Sequence, residues 1–496
     1  MNIAKLFSRA LSGMSAPQVI VEVHVASGLP SFSIVGLLDT EVRESRDRVR
    51  SAIQNSGFAF PARRITVNLA PADLPKESGR YDLPIALGIL LASGLVKAQL
   101  DTDLFEFAGE LALDGELRPV KGALALTWGA GEQLRQFILP EVSAREAALI
   151  SQVQVLAAPS LSSVIEHLTA TANLPIARLS PQSKLMTNGD LNQVKGQVAA
   201  KKALEIAAAG RHSLLMLGNP GCGKSMLAAR LTSIMPLLEP REALLSASIH
   251  SVASNFNLEQ WQQVPFRTPH HSSSIAAMVG GGANPKPGEV SLAHHGVLFL
   301  DELAEFDRRV LEALREPLEA KKVRIARARH KVEFAADFQL IAAMNPCPCG
   351  NLGHPQKNCS CSVEQINRYR AKISGPLLDR IDMVVEMPSL KTAELHNLNT
   401  GEDSASILSR VIMAREIQLQ RQHKLNYALA NDEVARYCVL NPDADLLLQD
   451  IIDKQALSAR GYYRMLKLAR TIADLAATTT ISSQHLALAS RYKPNI

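Results

Sequence analysis

The stretch from Gly218 to Ser225, with the sequence GNPGCGKS, has residue types and spacing that suit the binding of phosphate groups. It matches the pattern G-x-x-x-x-G-K-[ST], in which backbone N–H groups and a helix N-terminus face a polyphosphate. Lys224 would contact the β- and γ-phosphates, and the hydroxyl of Ser225 would bind Mg²⁺. The motif therefore predicts ATP and Mg²⁺ as cofactors. With one acidic residue farther along the chain, the predicted nucleotide-binding residues are Gly218, Asn219, Pro220, Gly221, Cys222, Gly223, Lys224, Ser225 and Asp301.

Two acidic residues follow a short apolar run downstream of this loop. Residues 297–300 are apolar, and Asp301 and Glu302 come directly after them. This pattern is typical of a buried parallel strand, which delivers its last side chains to the carboxyl edge of the sheet. We expect Asp301 to complete the Mg²⁺ site and Glu302 to polarise the water that attacks the γ-phosphate.

Three further polar residues fit roles in ATP hydrolysis. Asn345 follows an apolar run and would position the attacking water, although an Asn-Pro turn explains the same residues. Arg380 is predicted to be an arginine finger that reaches the ATP of a neighbouring subunit, with an ion pair to Asp379 or Asp382 as the alternative. Arg460 would be a lid arginine at the γ-phosphate, unless it is an exposed surface residue. The predicted catalytic residues are Glu302, Asn345, Arg380 and Arg460.

Four of the six cysteines stand close together, in two Cys-x-Cys pairs separated by nine residues. Four thiolates across a short loop match a structural zinc site that staples the loop, and His354 is a candidate substitute ligand. Four unligated thiols are the alternative. The histidine pairs 270–271 and 294–295 are assigned to a mobile loop instead, because adjacent histidines rarely bind one ion together. The candidate Zn²⁺ ligands are Cys347, Cys349, Cys359 and Cys361.

A basic segment precedes the cysteines. Six lysines and arginines fall within the eleven residues 321–331, which contain no acidic residue. Apolar residues on both sides of the segment predict a hairpin, and so dense a positive charge suits a nucleic-acid backbone. The absence of aromatic residues favours contact that is independent of base sequence, whereas a solvated edge hairpin is the alternative. The predicted DNA contacts are Lys322, Arg324, Arg327, Arg329 and Lys331.

The elements that must position these residues can be predicted from the pattern of apolar residues. The run 213–217 predicts a strand before the phosphate-binding loop, and the residues after the loop begin a helix. Asp190 is predicted to cap a helix over 190–209. Near the C-terminus the pattern is helical, with Ser404 or Ser406 as the expected N-cap of the first long helix.

The length of 496 residues suggests roughly three domains of about 100–200 residues each. Hydrophobic residues make up 47% of the chain, which is ordinary for a globular protein, and a net charge of +5 is too small to indicate a nucleic-acid partner by itself. The apolar stretch 83–96 is too short to span a bilayer and no export signal is present, so we expect a cytoplasmic protein without membrane partners. The predicted domains are 1–170, a linker over 171–190, a core over 191–385 and a lid over 386–496.

The first of these domains carries no nucleotide motif. The segment 68–80, with the glycines that follow at 109–122, resembles the proteolytic domain of Lon-type proteases, which cut peptides with a Ser-Lys dyad. The serine position falls at about Arg80 and the lysine position at about Leu124, so a nucleophilic hydroxyl and a basic amine are both missing. Ser78 and Lys121 are close enough in sequence to be the alternative. We expect a binding or assembly module that lacks protease activity.

The order of the phosphate-binding loop, the acidic strand, Asn345, Arg380 and Arg460 resembles that of AAA+ ATPases. The insert before the acidic strand and the basic hairpin are similar to those of the branch that contains magnesium chelatase and MCM helicases. With the front domain and the sequences PHH, NPCPCG and LLDRID, nearly the whole chain resembles the ComM/YifB family. The resemblance implies an N-terminal Lon-like (ribosomal S5 domain 2-like) α/β domain, an AAA+ P-loop core with a parallel sheet, and a C-terminal helical lid.

The same resemblance implies a function. It leads us to expect a homo-oligomeric ATPase, a hexamer, that acts on single-stranded or branched DNA as a helicase. Such an enzyme would drive branch migration when incoming DNA is integrated during natural transformation. The alternative is a magnesium-chelatase-type ATPase subunit that remodels a protein partner, although that function does not need the front domain. Composition and spacing alone lead to an oligomeric ATPase with a cationic hairpin.

Overall fold

A computed structural model of the chain describes residues 2–37, 39–178, 189–253, 255–282, 285–326, 331–389, 401–455 and 457–493. The chain divides into two compact units. The first unit comprises Met1–Lys184, Ala247–Trp261 and Ala326–Phe334, and the second comprises Leu185–Ser246, Gln262–Ile325 and Ala335–Ile496. The division after Lys184 falls inside the predicted linker, whereas the finer domain boundaries stay predictions.

The first unit is built on a seven-stranded mixed sheet in the order β3-β4-β2-β1-β5-β8-β9. Strand β2 (Gln18–Ala26) alternates buried valines with exposed Glu22 and His24, the period-two pattern of a sheet with one covered face. In chain order its elements are β1 (Ile3–Arg9), β2 (Gln18–Ala26), β3 (Ser31–Val35), α1 (Thr40–Asn55), β4 (Arg64–Ala70), α2 (Asp82–Ser93), β5 (Phe105–Phe107), β6 (Glu110–Leu111), β7 (Leu117–Arg118), α3 (Ala123–Gly131), β8 (Gln136–Pro140), α4 (Glu141–Ala147), β9 (Val155–Ala158) and α5 (Leu161–Leu168).

Arg80 and Leu124, the positions predicted to correspond to the dyad of Lon-type proteases, are both buried. The nearby Ser78 hydroxyl accepts a hydrogen bond from Arg80 Nε at 2.9 Å. Lys76, which is also buried, donates to the carbonyl of Pro71. Because a guanidinium does not lose its proton in proteins, Arg80 cannot activate the Ser78 hydroxyl as a nucleophile. The absence of protease activity stays a prediction.

The second unit contains a five-stranded sheet in the order β11-β14-β17-β10-β18, and every pair in it is parallel. In chain order its elements, with three that are partly assigned to the first unit (α8, β15 and β16), are α6 (Val198–Gly210), β10 (Leu214–Gly218), α7 (Lys224–Ala229), α8 (Pro240–Val252), β11 (Phe266–Arg267), α9 (Ile275–Val279), β12 (Gly280–Gly281), β13 (Lys286–Pro287), α10 (Glu289–Leu292), β14 (Val297–Leu300), α11 (Arg308–Ala313), α12 (Arg315–Ala320), β15 (Lys322–Ala326), β16 (Lys331–Ala335), β17 (Gln339–Met344), α13 (Val363–Arg370), α14 (Gly375–Leu378), β18 (Met383–Met387), α15 (Ser404–Gln422), α16 (Asn431–Tyr437), α17 (Pro442–Gln455), α18 (Ala459–Leu475) and α19 (Ser483–Ser490).

The three central strands of this sheet are buried at every residue, which is why they are continuous apolar runs in the sequence. The C-terminal helices share the core of the sheet. Ile407 and Val411 of α15, Ala469 of α18 and Leu486 of α19 belong to the same apolar cluster as Ile341 of β17. The predicted lid is therefore packed on the predicted core through a common interior.

Two predicted helix starts are wrong. Asp190 caps a short 3₁₀ turn by accepting a hydrogen bond from the backbone of Asn192 at 2.8 Å, and α6 begins later, at Val198. Gly196 and Gln197 have positive φ angles of 63° and 53°, which break the helix between the two elements. The N-cap of α15 is Asp403 rather than a serine, because its carboxylate accepts from the backbone N–H of Ser406.

Within the described ranges, no helix combines the length and the apolar character that crossing a bilayer requires.

Candidate nucleotide site and cysteine cluster

The phosphate-binding loop joins β10 to α7, as the sequence predicts. Gly221 and Gly223 have φ angles of 79° and 94°, a backbone region that side chains rarely tolerate, so the loop requires glycine at both positions. Lys224 is 8% exposed, and its amine donates to the carbonyls of Gly218 at 2.6 Å and Asn219 at 3.1 Å. The loop therefore surrounds the amine with backbone groups.

The order of the sheet brings the residues that follow three different strands together. Strand β17 lies between β10 and β14, so Asn345 stands between the lysine and the acidic residues. Lys224 Nζ donates to Asn345 Oδ1 at 3.1 Å, and the Ser225 hydroxyl donates to Asp301 Oδ2 at 2.5 Å. Hard oxygen ligands of this kind suit Mg²⁺, so the residues present fit the predicted ion.

Glu302 is held by its backbone at the edge of the same site. Its φ angle of 52° lies in the left-handed region, and its N–H donates to Asp301 Oδ1 at 2.9 Å. The carboxylate is 54% exposed and lies 3.4 Å from His271 Nδ1. The chain therefore leaves the direction of β14 at Glu302. Among the described residues, the carboxylate of Glu302 lies beside the imidazole of His271.

His271 is a site residue that sequence reasoning missed. A cavity of about 450 Å³ is lined by Ser225, Asp301, Glu302, His270 and His271 among others. Strand β11 leads into this histidine segment and pairs in parallel with β14, which ends at the acidic residues. In the sequence, the one signal for a role of His271 is its position shortly after strand β11. A strand of two residues is too short to recognise from the sequence.

Arg380 and Arg460 lie together on the carboxylate of Glu319, which belongs to α12. Arg380 forms an ion pair with Glu319, and Arg460 Nη2 lies 3.6 Å from the same oxygen. The alternative partner Asp382 accepts instead from the backbone of Ser213 at 2.9 Å. The two arginines are therefore brought together with each other, and the described hydrogen bonds and ion pairs of neither reach the phosphate-binding loop.

The four cysteines form one cluster of thiols. Their sulfur atoms all lie within 4.8 Å of one another, and the Cys347–Cys349, Cys347–Cys359 and Cys349–Cys359 separations are 3.4, 3.6 and 3.5 Å. A zinc ion bound about 2.3 Å from each sulfur separates tetrahedral sulfurs by roughly 3.8 Å, so the arrangement fits this ion. Among the described residues it is the one such group of three or more metal-ligating side chains, and His354 is not a member.

Hydrogen bonds prepare one of these thiols for metal binding. Backbone N–H groups of Asn351 and Ser360 donate to Cys349 and lower its pKa to about 5. These hydrogen bonds favour the thiolate form of Cys349, the form that binds metals, whereas the pKa values of Cys359 and Cys361 in the same cluster are raised. His354 Nδ1 accepts from the backbone N–H groups of Gln356 and Lys357, both at 3.1 Å, and is used in shaping the loop.

The basic segment contributes two strands, β15 and β16. On β15, Val323 and Ile325 are buried while Arg324 is exposed, so the strand is amphipathic. Arg327 and Arg329 lie outside the described residues, as does the side chain of Lys331. The predicted DNA contacts stay a prediction.

The chain matches three family models over most of its length. The model described as magnesium chelatase, subunit ChlI, matches residues 190–395. The model described as subunit ChlI of Mg-chelatase matches 21–143, and the model of the C-terminal region of subunit ChlI matches 401–493. These matches agree with the parallel sheet and the helical C-terminal region of a magnesium-chelatase-like AAA+ fold.

Individual relatives extend this similarity to nearly the full chain. Competence protein ComM of Haemophilus influenzae is 47% identical, over 99% of this chain and 98% of that protein. YifB of Salmonella typhimurium is 48% identical, over 99% of this chain and 97% of that protein. A more distant relative, DNA replication licensing factor Mcm6 of Drosophila pseudoobscura, is 22% identical over 77% of this chain and 49% of its own. The chain belongs to the ComM/YifB family of magnesium-chelatase-like AAA+ ATPases.

Proposed function

We propose that this protein is an ATP-driven motor that acts on DNA as a ring of subunits, with a hexamer as the expected assembly. In the cytoplasm it would promote branch migration, and so the integration of incoming single-stranded DNA during natural transformation. The main observation that supports an ATP-driven motor is that four side chains meet at one edge of the parallel sheet: Lys224, Ser225, Asp301 and Asn345. The similarity to a protein named Competence protein ComM and the basic segment support DNA as the substrate.

Hydrolysis follows from what each side chain at this edge can do. The Lys224 amine would exchange its carbonyl partners for the more strongly charged phosphate oxygens of ATP. Ser225 and Asp301 would hold Mg²⁺, which neutralises phosphate charge when it is bound. Glu302 would accept a proton from the attacking water, and Asn345 would orient that water.

The arginines suit a role at the junction of two subunits. Arg380 and Arg460 share the carboxylate of Glu319 and make no described contact with Lys224 or Asp301 of their own chain. We therefore propose that Arg380 acts as a finger on the nucleotide of the neighbouring subunit, and that Arg460 accompanies it. Two guanidinium groups would stabilise the charge that develops on the γ-phosphate.

We also propose that the four cysteines bind a structural Zn²⁺. The supporting observations are the separations of 3.4 to 3.6 Å between sulfur atoms and the position of all four sulfurs within 4.8 Å of one another. A closed four-thiolate site leaves no open position for a substrate, so its role would be structural rather than catalytic.

The test of the motor is the rate of ATP hydrolysis with and without forked or single-stranded DNA, on protein concentrated enough to assemble. We expect DNA to raise the rate several-fold. Lys224→Ala should abolish nucleotide binding and hydrolysis, because the charge that faces the phosphates is lost. An intact ATPase that no DNA stimulates, with assembly confirmed, would contradict the DNA motor.

The DNA contact is tested separately by charge reversal. Replacing Lys322 and Arg324 by Glu should remove most DNA affinity and reduce its dependence on salt, because fewer phosphates are neutralised. The matched control reverses two exposed cations of the first unit, Arg63 and Lys97, and should bind DNA normally. If DNA affinity survives the first change, the basic segment is not the contact.

A magnesium-chelatase-type subunit that remodels a protein partner is the second candidate. The matches of the subunit ChlI models favour it, and the match over 21–143 removes the front domain as an argument against it. Under this alternative, DNA leaves the ATPase rate unchanged whereas a partner protein raises it.

A further inference from the structure

The loop that carries the cysteine cluster lies directly against the phosphate-binding loop. Asn219, the second residue of that loop, is 5% exposed, and its amide nitrogen donates to the carbonyls of Gly350 at 2.6 Å and Leu352 at 3.1 Å. Its amide oxygen accepts from the Ser389 hydroxyl at 3.1 Å. Both amide protons of Asn219 are therefore used to join the nucleotide site to the cysteine loop.

The approach of the two loops is close enough to require glycine. Gly350 has a φ angle of 76°, and a Cβ atom there would lie 2.6 Å from Pro220 Cγ and 2.7 Å from Pro220 Cδ. No ordinary carbon–carbon contact is so short, so a side chain at this position would push the loops apart. The cysteine loop is thus packed directly against the phosphate-binding loop.

The carbonyls that hold Asn219 are themselves fixed by the cluster. The backbone N–H of Gly350 donates to the Cys347 carbonyl at 3.0 Å, and the N–H of Leu352 donates to Cys347 Sγ at 3.3 Å. Cys347 also follows Asn345 by two residues, and Asn345 accepts the hydrogen bond from Lys224. Cys347 therefore holds the segment that binds Asn219, and it lies two residues from the side chain that accepts from Lys224.

The segment between the cysteine pairs has no helix or strand to hold it in shape. Residues 350–358 form turns and bends, and β17 and α13 flank them. In such a segment a metal–thiolate cluster supplies the order that a hydrophobic core supplies elsewhere. Loss of the metal would release the Gly350 and Leu352 carbonyls from the geometry that Asn219 needs.

We infer that a metal ion bound by Cys347, Cys349, Cys359 and Cys361 controls the affinity of the phosphate-binding loop for nucleotide, and that Asn219 transmits this control. The inference rests on the proposed zinc site. It assigns Asn219 as a positioning residue, because its side chain acts on the backbone of both loops.

The test compares nucleotide affinity with and without the metal in the full-length protein. Zinc content is measured by atomic spectroscopy, and the dissociation constant of a fluorescent ATP analogue is measured in Mg²⁺ before chelation, after chelation and desalting, and after zinc is restored. Removal of zinc should weaken nucleotide binding about tenfold, within the usual range of coupling between two sites, and restoration should reverse the loss.

Variants separate coupling from general damage. The double change Cys359→Ser and Cys361→Ser should reproduce the metal-free affinity, whereas Cys438→Ala, which removes a buried thiol outside the cluster, should not. Asn219→Ala should keep its zinc, bind nucleotide weakly and no longer respond to chelation. A merely structural Asn219 would leave the response to chelation intact.

The possible failures are distinguishable. Protein that contains zinc but binds nucleotide equally well without it would overturn the coupling and leave the ATPase standing. Protein that contains no zinc after purification and binds none when zinc is added would overturn both the zinc site and the coupling. Zinc-loaded protein that binds no nucleotide would overturn the proposed function instead.

Discussion

At the scale of single residues, the chemistry depends on how the carboxylate of Glu302 is held. Its backbone is fixed in the left-handed region and tied to Asp301, but its side chain is half exposed. An exposed carboxylate has several rotamers, and most of them would not face an attacking water. His271 Nδ1, 3.4 Å from Glu302 Oε2, is placed to select among them.

We therefore predict that His271→Ala lowers kcat for ATP hydrolysis about tenfold, less than the roughly 10²–10⁴-fold loss expected for Glu302→Gln. The affinity for ATP should be unchanged, because His271 makes no described contact with the phosphate-binding loop. Steady-state kinetics and nucleotide titration provide the two measurements.

His270→Ala is the matched control, since His270 Nδ1 is 2.7 Å from the Ser272 hydroxyl instead of a carboxylate. It should retain nearly full activity. Equal losses in the two variants, or a weaker affinity for ATP in His271→Ala, would argue for a general effect on this segment.

The motifs were enough to predict the residues at the sheet edge, because the carboxyl ends of neighbouring parallel strands must meet. Lys224, Asp301 and Asn345 follow three such strands and are brought together as that rule requires. The partners of charged side chains were harder to predict. From the sequence, the expected ion-pair partners of Arg380 are Asp379 and Asp382, which lie within two residues of it. Its observed partner, Glu319, is 61 residues away.

At the scale of secondary-structure elements, helix α12 presents Glu319 to arginines that follow α14 and begin α18. The carboxylate is 53% exposed and the Arg460 side chain is 49% exposed, so their pair is weak, about 0.2–1 kcal/mol, whereas the Arg380 side chain is 9% exposed and its pair is partly buried. An arginine finger must leave this carboxylate before it can bind a phosphate. Glu319 consequently competes with nucleotide for both arginines.

We predict that Glu319→Gln raises the ATPase rate of the assembled protein about two- to fivefold, which corresponds to about 0.4–1 kcal/mol of lost attraction between Glu319 and the arginines. The free energy of unfolding should change by less than about 1 kcal/mol, because the amide oxygen of Gln can still accept the hydrogen bond from the buried Arg380 side chain. Steady-state hydrolysis and denaturant titration measure the two quantities.

The control is Glu316→Gln, which removes an exposed charge from the same helix and should have no effect on the rate. A slower Glu319→Gln enzyme would mean that Glu319 orients the arginines for catalysis instead of restraining them.

Elements with long apolar runs were predictable, and their ends were not. The three central strands of the parallel sheet are buried on both faces, so their apolar residues define them. The start of α6 depends on Gly196 and Gln197, whose left-handed backbone the sequence does not specify. The N-cap of α15 lies one to three residues before the predicted serines, because the Asp403 carboxylate is an equally good acceptor for the first backbone N–H groups of the helix.

At the scale of the whole molecule, the family explains why so much of the chain could be predicted. The matched regions 21–143, 190–395 and 401–493 cover both compact units. What the motifs could not predict was the shared interior of the core and the C-terminal helices, because packing between distant segments leaves no local pattern. Arg460 begins α18, one of these shared helices, which places it beside Arg380.

This placement leads to a prediction about the assembled ring. If Arg380 serves the nucleotide of the next subunit, Glu302→Gln and Arg380→Ala should each be inactive alone but should complement each other when they are assembled together. In a head-to-tail ring each site takes its Glu302 from one subunit and its Arg380 from the next, so about a quarter of the sites in an equal random mixture are intact. Co-expressed, differently tagged variants should therefore recover about a quarter of the wild-type rate if the sites act independently. Co-purification through both tags establishes that mixed assemblies have formed. A mixed assembly as inactive as its two components would require Arg380 to act within its own chain, and the contact with Glu319 would then be its resting position rather than one side of a subunit junction.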